Sequence, residues 1–211
     1  EIGEGSFGIV YEGVELPSQV LVAVEFINSK TRQLKNEFKV YKSLDGYYKN
    51  PIVAGFPRYY YFGLQGLYRI LFVDLLGLSL EELFSRCSRR FTLKTVLMLA
   101  GPLISRMQML HEKKLIFRDV KPGNLLVGQP GTETANMFHL VDFGIAKQYR
   151  DRETKEHIPF CVKKSLSGGT TRYISINALL GQEKSRRDDL EALGYSFMEF
   201  LGVRLPCQGL E

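Results

Sequence analysis

The chain has 211 residues, 45% hydrophobic and 24% charged, which is enough apolar material for one large domain or two lobes and too much for a disordered segment. Its net charge of +5, from 28 basic and 23 acidic residues, is spread along the sequence, so it suits an acidic partner and gives no concentrated footprint for specific nucleic-acid binding. No apolar run approaches the roughly 18 residues of a membrane helix, and three scattered cysteines and three histidines exclude a disulfide framework or a histidine-built metal site.

The first third reads as sheet. "GEGSFG" (Gly3 to Gly8) opens it, followed by a strand over residues 8–14. Such glycines let backbone N–H groups approach a phosphate, and a plain tight turn explains them equally well. A Rossmann reading is disfavoured because the chain continues as strand after Gly8 and no helix opens there. A second strand covers residues 20–26. Leu34, Phe38, Tyr41 and Leu44 then mark one apolar face of a helix, with Glu37 near its middle. Further strands are expected over residues 57–63 and 68–73.

After "LLGLS" (Leu75 to Ser79) the pattern becomes helical. Ser79 and Glu82 have capping-box spacing for a short helix from Leu80. A longer helix spans residues 92–113, with Val96, Leu99, Leu103, Met107 and Leu110 on one face and a kink expected at Gly101-Pro102. Short strands follow over residues 125–127 and 138–141. Residues 149–177 read as irregular. A last helix over residues 187–201 places Leu190, Leu193, Phe197 and Leu201 on one side. The whole is an α+β pattern: a β-rich lobe with one helix, a short crossover and a mostly helical lobe, with a ligand cleft expected between lobes.

Two polar motifs carry chemistry. In "FRDVKPGNLL", Asp119, Lys121 and Asn124 follow the long helix as D-x-K-x-x-N. A carboxylate there can accept a hydroxyl proton, a lysine can neutralise a transferring phosphoryl group, and a carboxamide can hold a metal ion. In "VDFG", Asp142 ends a short apolar strand 18 residues after Asn124, a position suited to Mg²⁺. Each motif alone is weak, and their spacing makes the pair specific.

These motifs resemble the glycine loop, catalytic loop and DFG of eukaryotic protein kinases. "LLGLSLEELF", "HIPF", "TRYISIN" and "SRRDDLEALGY" closely resemble the casein kinase 1 family of Ser/Thr kinases, and the likeness covers essentially the whole chain. It implies a bilobal fold with a small lobe over residues 1–73, a hinge over 74–78 and a large lobe over 79–211. It implies ATP and Mg²⁺ as cofactors. Gly3, Gly5 and Gly8 would cover the phosphates, and Ile2, Val10, Ala23 and Leu126 would sandwich the adenine. Asp74 to Leu76 would form the hinge, with Val73 as gatekeeper. Asp119 would be the catalytic base, braced with Lys121 by Thr170. Asn124 and Asp142 would be metal ligands. Asp189 would anchor the catalytic loop. Arg118, Lys147, Lys164 and Arg172 would hold acidic or phosphorylated protein substrates, although a solvated basic face explains them too. A monomer is expected, and Cys87, Cys161 and Cys207, read as reduced thiols, fit a cytoplasmic or nuclear location.

The sequence also departs from the family. Its β3 motif V-A-I-K reads Val22-Ala23-Val24-Glu25, so an anion stands where the lysine would pair with Glu37 and the ATP phosphates. The glycine loop and second strand contain no Lys or Arg to replace it. Gly123 replaces the usual Asp before Asn124, "LSGGTTRY" has an extra glycine, Pro102 lies in a helix, and Cys207 stands where the family has Trp. The resemblance implies further helices beyond Glu211, so a fragment with an incomplete large lobe is expected. Two functions compete: a Ser/Thr kinase with activity impaired by Glu25, and a pseudokinase serving as a binding module or scaffold.

Overall fold

Alternating and β-branched residues before Leu75 form one antiparallel sheet in the computed structural model, which describes residues 1–4, 8–16, 19–44, 55–151, 153–162, 168–205 and 207. Strands β1 (Gly3–Glu4), β2 (Gly8–Glu15), β3 (Val20–Asn28), β4 (Tyr59–Gln65) and β5 (Tyr68–Asp74) lie in the order β1-β2-β3-β5-β4. Val22 and Val24 of β3 pack with Ile70 of β5 in the core on one face. The same alternation turns Ala23 and Glu25 to the other face. Gly8 is fixed by a close approach: a Cβ there would stand 2.2 Å from the carbonyl oxygen of Phe26. Helix α1 (Gln33–Leu44) buries Leu34, Val40, Tyr41 and Leu44, and Glu37 with them. Phe38, expected on the same stripe, is half-buried and stacks on Phe62 with ring centroids 4.3 Å apart.

Tertiary contacts divide the chain into two compact units, Glu1–Leu78 with Leu126–Gly144, and Ser79–Leu125 with Ile145–Glu211. The segment Leu126–Gly144 belongs to the first unit although it lies far along the chain. It carries most of β7 (Leu125–Val127) and all of β8 (Phe138–Leu140), which pair with each other. Backbone hydrogen bonds fasten it: Gly77 N–H donates to Val127 O at 2.9 Å, Val127 N–H to Leu78 O at 3.0 Å, and Leu140 N–H to Gly55 O at 3.0 Å.

The second unit is mostly helical. The Ser79–Glu82 capping box forms as its spacing requires and opens α2 (Leu80–Arg86). Helix α3 (Leu93–Glu112) buries all five expected apolar residues and runs through Pro102. Burying each of those side chains contributes about 1.5–3 kcal/mol. Together they outweigh the ~3 kcal/mol that an interior proline costs. The remaining elements are β6 (Leu115–Ile116), which pairs with β9 (Lys147–Gln148), short 3₁₀ turns at Pro122–Asn124 and Thr171–Tyr173, and helices α4 (Ile176–Leu179) and α5 (Arg186–Phe200).

The expected face of the last helix needs correction. Leu193 is buried, but Leu190 is 46% exposed and Leu201 36% exposed. The buried side of α5 instead carries Asp188, Asp189, Ala192, Ser196, Glu199 and Phe200. Apolar periodicity cannot identify this face, because carboxylates matched to hydrogen-bond donors form much of it.

Candidate active site

In the first unit, β3 and α1 bring two glutamates together with Asp142. Glu37, on the buried side of α1, accepts a hydrogen bond from the Phe143 N–H at 3.1 Å. Asn36 donates to the carbonyls of Phe143 and Gly144 at 3.3 and 3.1 Å. The Phe143 ring is buried edge-on to Tyr41 with centroids 5.2 Å apart. These contacts hold Asp142 in the left-handed region, at φ 65°, a conformation that costs about 1–3 kcal/mol in a non-glycine residue.

Three carboxyl groups gathered around buried Glu37, with Glu25 and Asp142 half-buried, cannot all ionise at ordinary cost. Burial, and then the charge of Asp142, pushes Glu25 up to about 7 from 4.5. Burial, and then the charges of Glu25 and Asp142, also pushes Glu37 upward, against the lowering hydrogen bond from Phe143. Glu37 keeps its buried place beside Phe143 rather than swinging out. Both shifts favour a protonated carboxyl over a set of neighbouring carboxylates.

The sign of the linkage follows. In the unfolded chain Glu25 ionises from about pH 4.5; in the folded protein it holds its proton to about 7. Its stability contribution is therefore fully present below the unfolded value and lost as pH rises through the folded one. The loss is about 3 kcal/mol at one pKa unit per ~1.4 kcal/mol. The melting temperature, measured without divalent cations, should fall between pH 5 and 8. Glu25→Gln should reduce that slope, leaving the part that buried Glu37 contributes, and equal slopes in the two proteins would refute the assignment.

The other nucleotide-side candidates also lie in the first unit. Gly3 pairs with Val10, Val10 with Glu25, and Ala23 with Val73. Ile2 is half exposed and donates its N–H to Val10 O at 2.9 Å. Leu76 and Leu126 are partly buried. Asp74 has a structural task, accepting from Arg58 N–H at 2.7 Å and Tyr60 O–H at 2.6 Å. Gly5 lies outside the described residues.

In the second unit, the segment after β6 builds a carboxylate with assigned partners. Asp119 is buried, and its Oδ1 accepts from the Thr170 N–H at 2.8 Å and the Thr170 hydroxyl at 2.9 Å. Its Oδ2 lies 3.1 Å from Lys121 Nζ and 3.2 Å from Asn124 Nδ2. Asn124 Nδ2 also donates to the Asp119 carbonyl at 3.0 Å. With its nitrogen committed, Oδ1 is the atom Asn124 can offer to a cation. Thr170 thus braces Asp119 directly, while Lys121 reaches the same carboxylate independently.

Asp189 of α5 holds this segment. Its Oδ2 accepts from Phe117 N–H and sits at the same 2.8 Å from His111 Nε2, and its Oδ1 accepts from Arg118 N–H, also at 2.8 Å. Arg118, next to Asp119, is held at φ 73°. The sequence reading missed Lys184. It is 5% exposed, and its Nζ donates to Arg118 O at 3.1 Å and Gly168 O at 2.8 Å. Desolvation, and then Arg118, holds its pKa below the usual lysine value. A lone lysine after "GQE" has no pattern that would have revealed this role.

The expected substrate cations are engaged within the second unit. Arg118 Nε donates to Ile145 O at 2.6 Å. Lys147 pairs with Glu183 at 2.9 Å. Arg172 pairs with buried Glu199 at 3.2 Å and keeps 40% of its side chain exposed. Glu199 also accepts from the Tyr173 hydroxyl and pairs with Arg89. Lys164 lies outside the described residues.

Among the described residues no group of three His, Cys, Asp or Glu side chains can by itself hold a metal ion. Oxygen donors such as Asn124 and Asp142 suit Mg²⁺, which takes few protein ligands and completes its shell with phosphate and water. No helix of the described residues is long and apolar enough to cross a membrane.

The sequence matches the protein kinase domain family over residues 1–211. It is 53% identical to casein kinase I homolog 2 of Schizosaccharomyces pombe, covering 100% of this chain and 47% of that protein. It is 54% identical to casein kinase I homolog RAG8 of Kluyveromyces lactis and 53% identical to casein kinase I homolog 2 of Saccharomyces cerevisiae, again over 100% of this chain and 38% of each relative. The chain therefore spans less than half the length of these relatives.

Proposed function

The chain belongs to the casein kinase I family of protein kinases, and from that premise we propose that it transfers the γ-phosphate of ATP to Ser or Thr hydroxyls of acidic or already phosphorylated proteins, at a rate held down by Glu25. The observation that carries this reading is the state of Asp119. Thr170 fixes Oδ1 by two hydrogen bonds, and Oδ2, which lies beside Lys121 Nζ and Asn124 Nδ2, is the oxygen proposed to take a substrate hydroxyl proton. Lys121, beside that oxygen, is placed to neutralise charge on the transferring phosphoryl group, and its presence favours Ser/Thr over Tyr by family resemblance. When bound, Mg²⁺ would supply charge neutralisation; by family resemblance Asn124 and Asp142 are each proposed as oxygen donors to a metal ion. The test is phosphate transfer to casein with Mg-ATP in excess. Slow but measurable transfer that disappears in Asp119→Asn is expected. Absence of transfer with retained ATP binding would instead support the pseudokinase reading, which the Glu25–Glu37–Asp142 carboxyl group favours.

Substrate choice rests on Arg172. Its side chain, anchored through Nη1 to Glu199, stays 40% exposed, and an arginine fork binds two phosphate oxygens at once. Arg172→Ala should lower kcat/KM for a peptide already phosphorylated upstream of its target about tenfold, and for the unphosphorylated peptide by less than half that factor. Equal losses on both peptides would count against a phosphate contact.

A further inference from the structure

A cavity of about 720 Å³ in the second unit lies among the end of α3, the chain after β9 and the start of α5. That volume is typical of small-molecule and side-chain pockets. Lys114, Arg150, Arg186 and Arg187 line it with His157, and among the described residues Glu112 is the only carboxylate in the lining. Glu112 is itself engaged by Gln108 at 3.0 Å.

These cations differ from five others in the same unit. Arg89, Lys121, Lys147 and Arg172 are paired with carboxylates, and Lys184 is committed to carbonyls. Among the described residues, Lys114, Arg150 and Arg186 have no ion pair, and Arg187 has only a long 3.8 Å contact with its neighbour Asp188. The buried Nε of Arg150 has no hydrogen-bond partner there.

The site is also built in advance. Buried Tyr149 forms its floor, fixed by its hydroxyl donating to His111 O at 2.8 Å and its N–H donating to Lys114 O at 3.0 Å. The Arg186 guanidinium lies 4.9 Å from the Tyr149 ring centre and that of Arg150 lies 5.9 Å away. Two forks held on one ring lose little freedom when they take a ligand. Four Lys and Arg side chains with one carboxylate in the lining leave an excess of positive charge that repels itself, and a dianion with several oxygens relieves this better than a single carboxylate.

We propose that this cavity is a binding site for a phosphate monoester, carried by a phosphoserine segment of a protein or by a small soluble phosphate compound. The proposal concerns binding only and does not depend on phosphate transfer by Asp119.

The test is calorimetric titration of the purified chain at 0.15 M salt with two probes, a phosphoserine peptide and inositol hexakisphosphate. At least one should bind saturably. Binding should weaken at least tenfold in Lys114→Gln/Arg186→Gln and at least threefold in Lys114→Gln alone, which leaves the arginine–tyrosine stack in place. Lys35→Gln, which removes the same charge from the first unit, should change it less than twofold. Binding of the peptide alone assigns the ligand to a protein segment, and binding of the inositol phosphate alone assigns it to a soluble compound. No saturable binding of either probe, or equal affinity in wild type and Lys114→Gln, overturns the site.

Discussion

Glu25→Lys should raise kcat for phosphate transfer to casein at least tenfold. In an active kinase the strand lysine neutralises the nucleotide phosphates and pairs with the helix glutamate. Here the same strand position carries a carboxyl pushed up to about 7 beside Glu37 and Asp142. Near neutral pH that carboxyl is close to half-ionised, so it offers phosphate oxygens a negative charge or a neutral acid, never a cation. Two carboxylates about 4 Å apart at an effective dielectric near 20 repel by roughly 4 kcal/mol. A lysine turns this repulsion into attraction. Removing a preorganised charge donor from other active sites costs about 10²–10³ in rate, so a tenfold recovery is a conservative expectation. The gain should appear in kcat and vanish in the double variant Glu25→Lys/Asp119→Asn. A folded Glu25→Lys protein with unchanged kcat would refute this account of Glu25.

Asp189→Ala should lower the stability of the second unit by about 3–5 kcal/mol in chemical denaturation. The 2%-exposed carboxylate is the shared partner of two backbone N–H groups and one imidazole nitrogen. Deleting it removes the acceptor these three groups share, and each buried unmet donor costs about 1–3 kcal/mol. Partial rearrangement and water entry keep the total below the sum of the upper values. The released Phe117–Arg118 backbone would also let Asp119 drift, so transfer activity should fall with stability. Asp189→Asn keeps one acceptor oxygen and should lose roughly half as much. A loss below 1 kcal/mol for the alanine variant would show that the segment is held mainly by other contacts, with Lys184 the first to examine.

Much of this could be read from the chain alone. Alternation at Val22 and Val24 and the stripe from Val96 to Leu110 place their elements correctly, because burial on one face imposes a period that local sequence records. The capping box at Ser79 is legible for the same reason: its partners lie three residues apart. The likeness of motifs around Asp119, Asn124 and Asp142 also sufficed to identify the family.

Tertiary structure decided the rest, since its causes lie far apart in sequence. Sequence shows that Glu25 is acidic; only folding of β3, α1 and the Asp142 turn into one unit perturbs its proton affinity. Apolar periodicity assigns Leu190 and Leu201 to the interior of α5, but the buried positions belong to Asp188, Asp189 and Glu199. A carboxylate enters a core when donors elsewhere in the chain meet it, and Phe117, Arg118 and His111 lie 72, 71 and 78 residues from Asp189. Lys184 is hidden from sequence in the same way, because its acceptors are two carbonyls, and carbonyls look alike at every position. Local patterning records which face of an element is buried by apolar contact. Long-range polar pairing, which fixes the Asp119 carboxylate and brings Arg150 and Arg186 to one ring, is set only when the chain closes on itself.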